Sequence, residues 1–291
     1  MKSTKKHEQA LIPHSRLEAT RALQQEVYAY HAAHGRHDLP WRNLPVSRQG
    51  TIDPYRIMVS EIMLQQTQVP RVIEKYTAFL KAFPTITALA DAKLSEVLKL
   101  WSGLGYNRRA KFLHEAAKQV MSEHKGTMPK TAEELEKLPG IGPYTARAIA
   151  VFAYDTPSTF IETNIRAVFI HRFFPHKAKV DDKELLPLIE AATRDQDPRE
   201  WYGALMDYGS FLKQTVGNAS RRSTHHVKQK QFKGSLREAR GLILKTLNEG
   251  RRTKPYLIAQ TLLEPERVES ALRGLEKDGL AAFSKGMWHI A

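Results

Sequence analysis

The feature that most constrains this chain is a helical spacing of apolar residues, cut again and again by proline and glycine. Over residues 17–34, Leu17, Ala19, Leu23, Val27, Tyr28 and Tyr30 fall mostly on one helical face. The pattern predicts a helix over 55–69 that stops at Pro70, and another over 71–83. Further breaks stand at Phe83-Pro84, Ser102-Gly103, Gly126, Pro129 and Pro139-Gly140. Thr131-Ala-Glu-Glu134 reads as a capping box opening a helix over 131–137. Few stretches before residue 279 alternate with period two, so the body is read as all-α, with about ten short helices.

At 291 residues the chain has room for one large domain or two modest ones. A 42% hydrophobic and 26% charged composition excludes disordered and collagen-like classes. No apolar run approaches the roughly 20 residues of a membrane span. The start, Met1-Lys-Ser-Thr-Lys-Lys-His7, has no apolar stretch of the kind a secretory signal needs. There is no cysteine, which excludes disulfides, thiolate zinc sites, cysteine-ligated iron–sulfur clusters and a thiol nucleophile. A cytoplasmic location is expected, beside the nucleoid if the source is bacterial.

Charge points to a polyanionic partner. Lys and Arg number 45 against 31 acids, a net of +14. Between Lys213 and Lys254 there are twelve Lys or Arg against only Glu238 and Glu249, a local +10. Taken alone such a run is a solvated linker; beside DNA-binding elements it grips phosphates.

The C-terminal part differs from the body. Helical segments over 236–248, 255–263 and 265–278 precede two short strands, 280–284 and 287–290, joined around Lys285-Gly286. This is the order of a winged helix-turn-helix, with a generic α+β cap as the alternative. The organisation read from sequence is a loose tail over 1–15, a helical body over 16–212, a basic linker over 213–235 and a winged-helix-like domain over 236–291. The fold class is mainly α with this small α+β appendage.

Leu138-Pro-Gly-Ile-Gly142 lies between two helical segments. Gly140 and Gly142 permit a tight hairpin, and its amides with the next helix's N-terminus suit a DNA phosphate. A monovalent cation, Na+ or K+, on the backbone of Leu138 and Gly140 is a further expectation; no other metal or cofactor is expected.

Six segments in order complete the picture: Leu39-Pro-Trp-Arg42, Ser60-Glu-Ile-Met-Leu-Gln-Gln-Thr-Gln-Val69, Leu100-Trp-Ser-Gly-Leu-Gly-Tyr106, Leu138–Thr145, Ile161-Glu-Thr-Asn-Ile-Arg166 and Ala204-Leu-Met-Asp-Tyr-Gly209. With them the chain, over residues 39 to about 212, resembles the helix-hairpin-helix (HhH-GPD) superfamily of DNA glycosylases. Within it, the chain looks most like the adenine glycosylases acting on A opposite G or 8-oxoguanine, the MutY family. The resemblance implies a two-lobed helical fold, base-excision repair of mismatched double-stranded DNA, and a chain that acts as a monomer.

It also implies roles. Glu61 would protonate the flipped adenine at N7 and later help to position water, which needs a carboxyl whose pKa burial has raised. Gln65 and Gln66 resemble the residues that fill the gap and touch the opposite strand. Trp41, Arg42, Tyr106 and Tyr144 suit stacking and the base pocket. Leu138, Gly140, Gly142, Thr145, Arg221 and Arg222 are expected at phosphates.

Glu162 stands where the superfamily usually has Asp; it carries the same charge one methylene farther out, to stabilise an oxocarbenium-like sugar cation. Tyr144 stands where lyase-competent relatives carry lysine, so a monofunctional enzyme is expected. Many relatives place four cysteines after the segment corresponding to Asp207-Tyr-Gly209 to hold a [4Fe–4S] cluster. Here 213–222 has none, and His225-His226 cannot replace them. The Nudix-like domain that reads the oxidised guanine is also missing from this sequence. Two rival readings are a thymine or uracil mismatch glycosylase and a catalytically silent DNA-binding protein.

Overall fold

The computed structural model describes residues 14–228 and 231–291. Of the expected loose tail, residues 1–13 lie outside this range, whereas His14 and Ser15 already belong to the first helix. The described chain forms α1 (His14–His34), α2 (Pro54–Leu64), α3 (Val69–Ala82), α4 (Ile86–Asp91), α5 (Leu94–Trp101), α6 (Arg108–His124), α7 (Ala132–Leu135) and α8 (Pro143–Tyr154). These are followed by α9 (Thr163–Phe173), α10 (Asp182–Thr193), α11 (Pro198–Thr215), α12 (Leu236–Leu247), α13 (Lys254–Thr261) and α14 (Pro265–Lys277). A hairpin of β1 (Ala281–Ser284) and β2 (Met287–Ile290) ends the chain.

Pro70 does not end a helix. It sits in the first turn of α3, where a missing N–H is harmless, and α2 has already stopped at Leu64. The capping box at Thr131 is half realised: its hydroxyl oxygen accepts from Glu134 N–H at 3.3 Å, but the helix lasts only four residues.

Two compact units are present, each discontinuous in sequence: residues up to His37 with Asp155–Val227, and Asp38–Tyr154 with Lys228–Ala291. In the first, α1 lies on α10 and α11, and α11 packs closely on α9. Gly209 makes that closeness possible, since a Cβ there would stand 2.5 Å from the carbonyl oxygen of Asn164. Leu23, Val27, Ile165, Phe169, Trp201 and Leu205 fill the core. Asp207, only 2% exposed, accepts from Arg36 Nε at 2.6 Å and pairs with His31 Nδ1 at 3.1 Å. It thereby ties the end of α1 to α11.

In the second unit α2 is enclosed by α3, α6 and α8, around Met58, Ile62, Tyr76, Phe79, Trp101 and Leu113. The same continuous core takes in Ile243, Leu247, Leu272 and Leu275. The 236–291 segment, expected as a domain of its own, therefore shares a unit with 38–154. The reason lies in α12 and α14, whose apolar faces are buried in that core. The strand register pairs Ala281 with Ile290 and Ser284 with Met287, and Arg252 bridges Trp288 beside them. Three helices with this hairpin and bridge give the winged-helix order expected from sequence.

The expected linker is structured at its start. α11 runs through Lys213 to Thr215, and a 3-10 turn covers Ala219–Arg222.

Candidate active site

Within the second unit, α2 begins on Asp53, whose carboxylate accepts from Tyr55 N–H, with Pro54 in the first turn. It ends at a turn that presents Gln65 and Gln66. Glu61, one turn before that end, is 6% exposed and accepts a hydrogen bond from Tyr144 Oη at 3.2 Å. Tyr144 comes from the first turn of α8, directly after the Leu138–Gly142 hairpin. A carboxyl removed from water and held by a phenol is a placed proton donor or acceptor rather than a surface charge.

The hairpin itself is anchored by Leu138 and Ile141, 2% and 4% exposed. Only one of its glycines meets a conformational demand: Gly140 has φ +75° and would place a Cβ 2.6 Å from Phe112 Cβ. Gly142 is exposed, with open space where a Cβ would stand. Thr145 turns its side chain inward. It is 3% exposed, and its hydroxyl accepts from Gln65 Nε2 at 3.1 Å, which holds the glutamine in place.

Trp41 is packed. It is 7% exposed, belongs to the core and meets Tyr76 edge-on at 5.5 Å, so most of its ring serves packing. Arg42 is half-buried, and its N–H closes a turn on Leu39 O.

Gln66 and Tyr106 both adopt left-handed backbone, with φ of 54° and 47°. Such conformations cost about 1–2 kcal/mol for a residue with a Cβ and persist only when neighbours enforce them. The enforcing residue is one that sequence reasoning missed. Arg109, 9% exposed, donates to Ile62 O, Met63 O and Gln65 O at 2.6–3.0 Å. It also donates to Thr67 Oγ1 at 3.0 Å, and to Leu104 O and Gly105 O at 3.3 and 3.2 Å. One guanidinium thus closes the C-terminus of α2 and clamps both turns. Burial pushes its pKa down to about 10, still charged at neutral pH.

Glu162 lies in the first unit, as the N-cap of α9. Its Oε1 accepts from the N–H groups of Asn164 and Ile165 at 2.6 and 2.9 Å, and its Oε2 accepts from Asn164 Nδ2 at 3.2 Å. Extended backbone at the cap lets the longer side chain curl back on its own helix. Burial pushes the Glu162 carboxyl up; the two amides, Lys213 and Arg166 oppose the shift. The result is a carboxylate fixed at a helix N-terminus. Arg166 forms a two-point pair with Asp182, at 2.8 and 2.6 Å. Lys213, read from sequence only as the start of the basic run, has its pKa lowered by burial, with Glu162 opposing the shift.

Arg222 also departs from expectation. Its guanidinium donates to the carbonyls of Ile170, Phe174, Pro175 and Lys177, closing the end of α9 rather than facing solvent anions. Arg221 is exposed. Val180 N–H bonds to Arg222 O at 2.9 Å and Thr224 N–H to Val180 O at 3.0 Å. This segment offers no thiolate, so the residues present do not fit an iron–sulfur cluster. His225 faces Asp181 and Asp182 at 3.8 and 4.0 Å.

These features are those of a base-excision repair fold, and the HhH-GPD superfamily base excision DNA repair model matches residues 59–192. An adenine DNA glycosylase of Mycolicibacterium smegmatis is 35% identical over 269 residues, 85% of this chain and 88% of that one. Another, from Buchnera aphidicola subsp. Baizongia pistaciae, is 37% identical over 194 residues, 66% of this chain but only 53% of its relative. Among solved structures, a thermostable thymine-DNA glycosylase aligns with a TM-score of 0.56 and 26% identity, over 66% of this chain and 87% of that one. The chain belongs to the HhH-GPD superfamily of base excision DNA repair proteins and, within it, to the adenine DNA glycosylase family.

Proposed function

We propose that this protein is a monofunctional DNA N-glycosylase that hydrolyses the bond between adenine and deoxyribose where adenine lies opposite G or 8-oxoguanine. The observation that carries the reading is Glu61, buried at the end of α2 and held by Tyr144 Oη at 3.2 Å. The flipped adenine receives the Glu61 proton at N7 and leaves as a neutral base. The sugar is left with an oxocarbenium-like charge, which the fixed carboxylate of Glu162 stabilises. A water oriented by the ionised Glu61 adds to the sugar carbon and returns a proton to it. Tyr144 supplies no amine, so no Schiff base forms at its position and the abasic strand stays intact.

Phosphates rest on the hairpin of Leu138, Gly140 and Gly142, and Arg221 adds charge; the backbone of Leu138 and Gly140 would hold a Na+ or K+, which would supply positive charge to a phosphate there. The protein acts as a monomer on mismatched double-stranded DNA, in the cytoplasm or nucleoid. Among the described residues no helix is long and apolar enough to cross a membrane.

A panel of duplexes with A, T or U opposite G, 8-oxoguanine or C tests the reading. Release of adenine alone, with strand breaks only after alkali, is the expected result. The similarity to a thymine-DNA glycosylase favours a second reading, and release of thymine or uracil in preference to adenine would establish it.

A further inference from the structure

The C-terminal segment of the second unit has the winged-helix order, and in a helix-turn-helix the second helix is the one that enters a DNA groove. Here that helix is α14, and its charges oppose the role. The N-cap Glu264 and Glu266, both exposed, stand at the end that would meet base edges, where they repel phosphates. Of its cations, Arg267 is occupied by Glu238 at 3.1 Å and Arg273 by Glu269 at 3.6 Å.

The wing is the opposite. β1 and β2 are joined by Lys285 and Gly286, both in left-handed backbone, with φ of 51° and 74°. A two-residue turn of this kind favours asparagine, aspartate or glycine at its first position, so a lysine is held there at a conformational cost. Strain retained at an exposed tip points to a use for the side chain.

A second cation joins it. Arg252 and Trp288 exchange backbone hydrogen bonds at 2.9 and 2.8 Å, which adds Arg251 and Arg252 to the edge of the hairpin. Ala281, Trp288 and Ile290 pack on the core, so the alternate residues Ser284, Met287 and His289 form the outer face. The antiparallel register puts Arg251 on that outer face, and its Nη1 donates to Ser284 Oγ at 3.5 Å, next to Lys285. Both cations are exposed, and among the described residues neither is paired with a carboxylate. The hairpin is also fastened to the helical body. Just before it, Asp278 accepts from Arg240 and faces Arg108 at 3.7 Å, and its carbonyl accepts from Lys111 Nζ at 2.8 Å.

We propose that the wing, and not α14, is the DNA contact of this segment, with Lys285 and Arg251 each neutralising a backbone phosphate of duplex DNA. Two unpaired cations on a hairpin fastened to α6 complement a phosphate backbone, and such contacts position a duplex without reading its sequence. The surface lies beyond residues 59–192, the stretch that the superfamily model matches. The inference goes beyond the adenine reading and requires only that the protein binds duplex DNA.

The test uses the full chain and an undamaged duplex, with affinity measured over a series of salt concentrations. Lys285→Asn and Arg251→Gln should each reduce the slope of log affinity against log salt by about 0.9, and the double variant by about 1.8. Lys285→Arg should keep the wild-type slope, because it keeps the charge. Lys285→Asn is expected to melt at or above the wild-type temperature, since asparagine suits the turn, so that its weaker binding is not a loss of fold. Arg273→Gln, on α14, should leave the slope in place. A wild-type slope in the double variant overturns the proposal, as does a slope reduced by Arg273→Gln and not by the wing substitutions. Because undamaged duplex is the probe, failure to release adenine would sink the proposed activity and leave this test standing.

Discussion

At the scale of single residues, the two carboxyls proposed for catalysis differ in how far sequence reveals them. Glu61 was legible only through its place in the Ser60–Val69 segment that carries the family resemblance, and its burial follows from α2 being enclosed on three sides. Glu162 was legible as a departure, but not its anchoring, because a glutamate N-cap is not among the preferred capping residues. Its raised pKa has a thermodynamic consequence. The folded state favours the protonated form, so the ionised carboxylate at pH 7 lowers stability, and the loss develops as pH rises through the folded-state pKa. Glu162→Gln should therefore melt at or above the wild-type temperature at pH 7, with that advantage shrinking as pH falls, while excision falls by about 10²-fold or more. Paired thermal melts and single-turnover rates check both halves. Glu162→Asp should also lose rate, because its oxygens retract by about one C–C bond from the position the cap now sets.

Arg109 belongs to the same scale and was not legible. In Tyr106-Asn-Arg-Arg109 nothing distinguishes it from the exposed Arg108 beside it; only the three-dimensional meeting of α2, the 64–67 turn and the 104–106 turn does. Arg109→Lys cannot serve six acceptors, and buried carbonyls left unpaired cost about 1–3 kcal/mol each. The expected outcome is a lowered melting temperature with weakened DNA binding, measured by thermal melts and titration of mismatched duplex; unchanged binding would show that Gln66 and Tyr106 keep their shape without the clamp.

At the scale of elements, helix existence was legible and helix ends were not. Pro70 looks like a stop in sequence, yet the first turn of a helix accepts it. Arg221 and Arg222 are adjacent and chemically identical, but one is exposed and the other caps α9 with four carbonyl contacts. A hydrogen-bonded staple holds this region. Arg222→Ala should lower stability by about 2 kcal/mol through the uncapped carbonyls of α9, seen as a shift in the denaturant midpoint. Arg221→Ala should leave that midpoint in place and weaken duplex binding instead.

At the scale of the whole molecule, the +14 charge read correctly as the mark of a polyanion-binding protein, while the expected boundary at residue 236 did not match the unit that the core defines. Periodicity shows that α12 and α14 have apolar faces; it does not show whether they bury them on each other or in a larger core. Deleting the C-terminal segment would thus open that core, and charge substitution is the cleaner probe. Replacing the exposed Lys228, Lys233 and Lys245 with Gln should reduce the slope of log affinity against log salt by about 0.9 for each phosphate that is no longer neutralised. An unchanged slope would mark these lysines as merely solvated.

The most direct measurement is the single-turnover release of adenine from an A·G or A·8-oxoguanine duplex by wild type and by Glu61→Gln. The substitution keeps the side chain's shape and its place beside Tyr144 Oη but removes the transferable proton. Excision should fall by about 10²–10⁴-fold or more, while affinity for the mismatched duplex stays within a few fold. Equal rates for the two proteins, or no adenine release by wild type, would contradict the assignment of Glu61 as the acid that makes adenine leave.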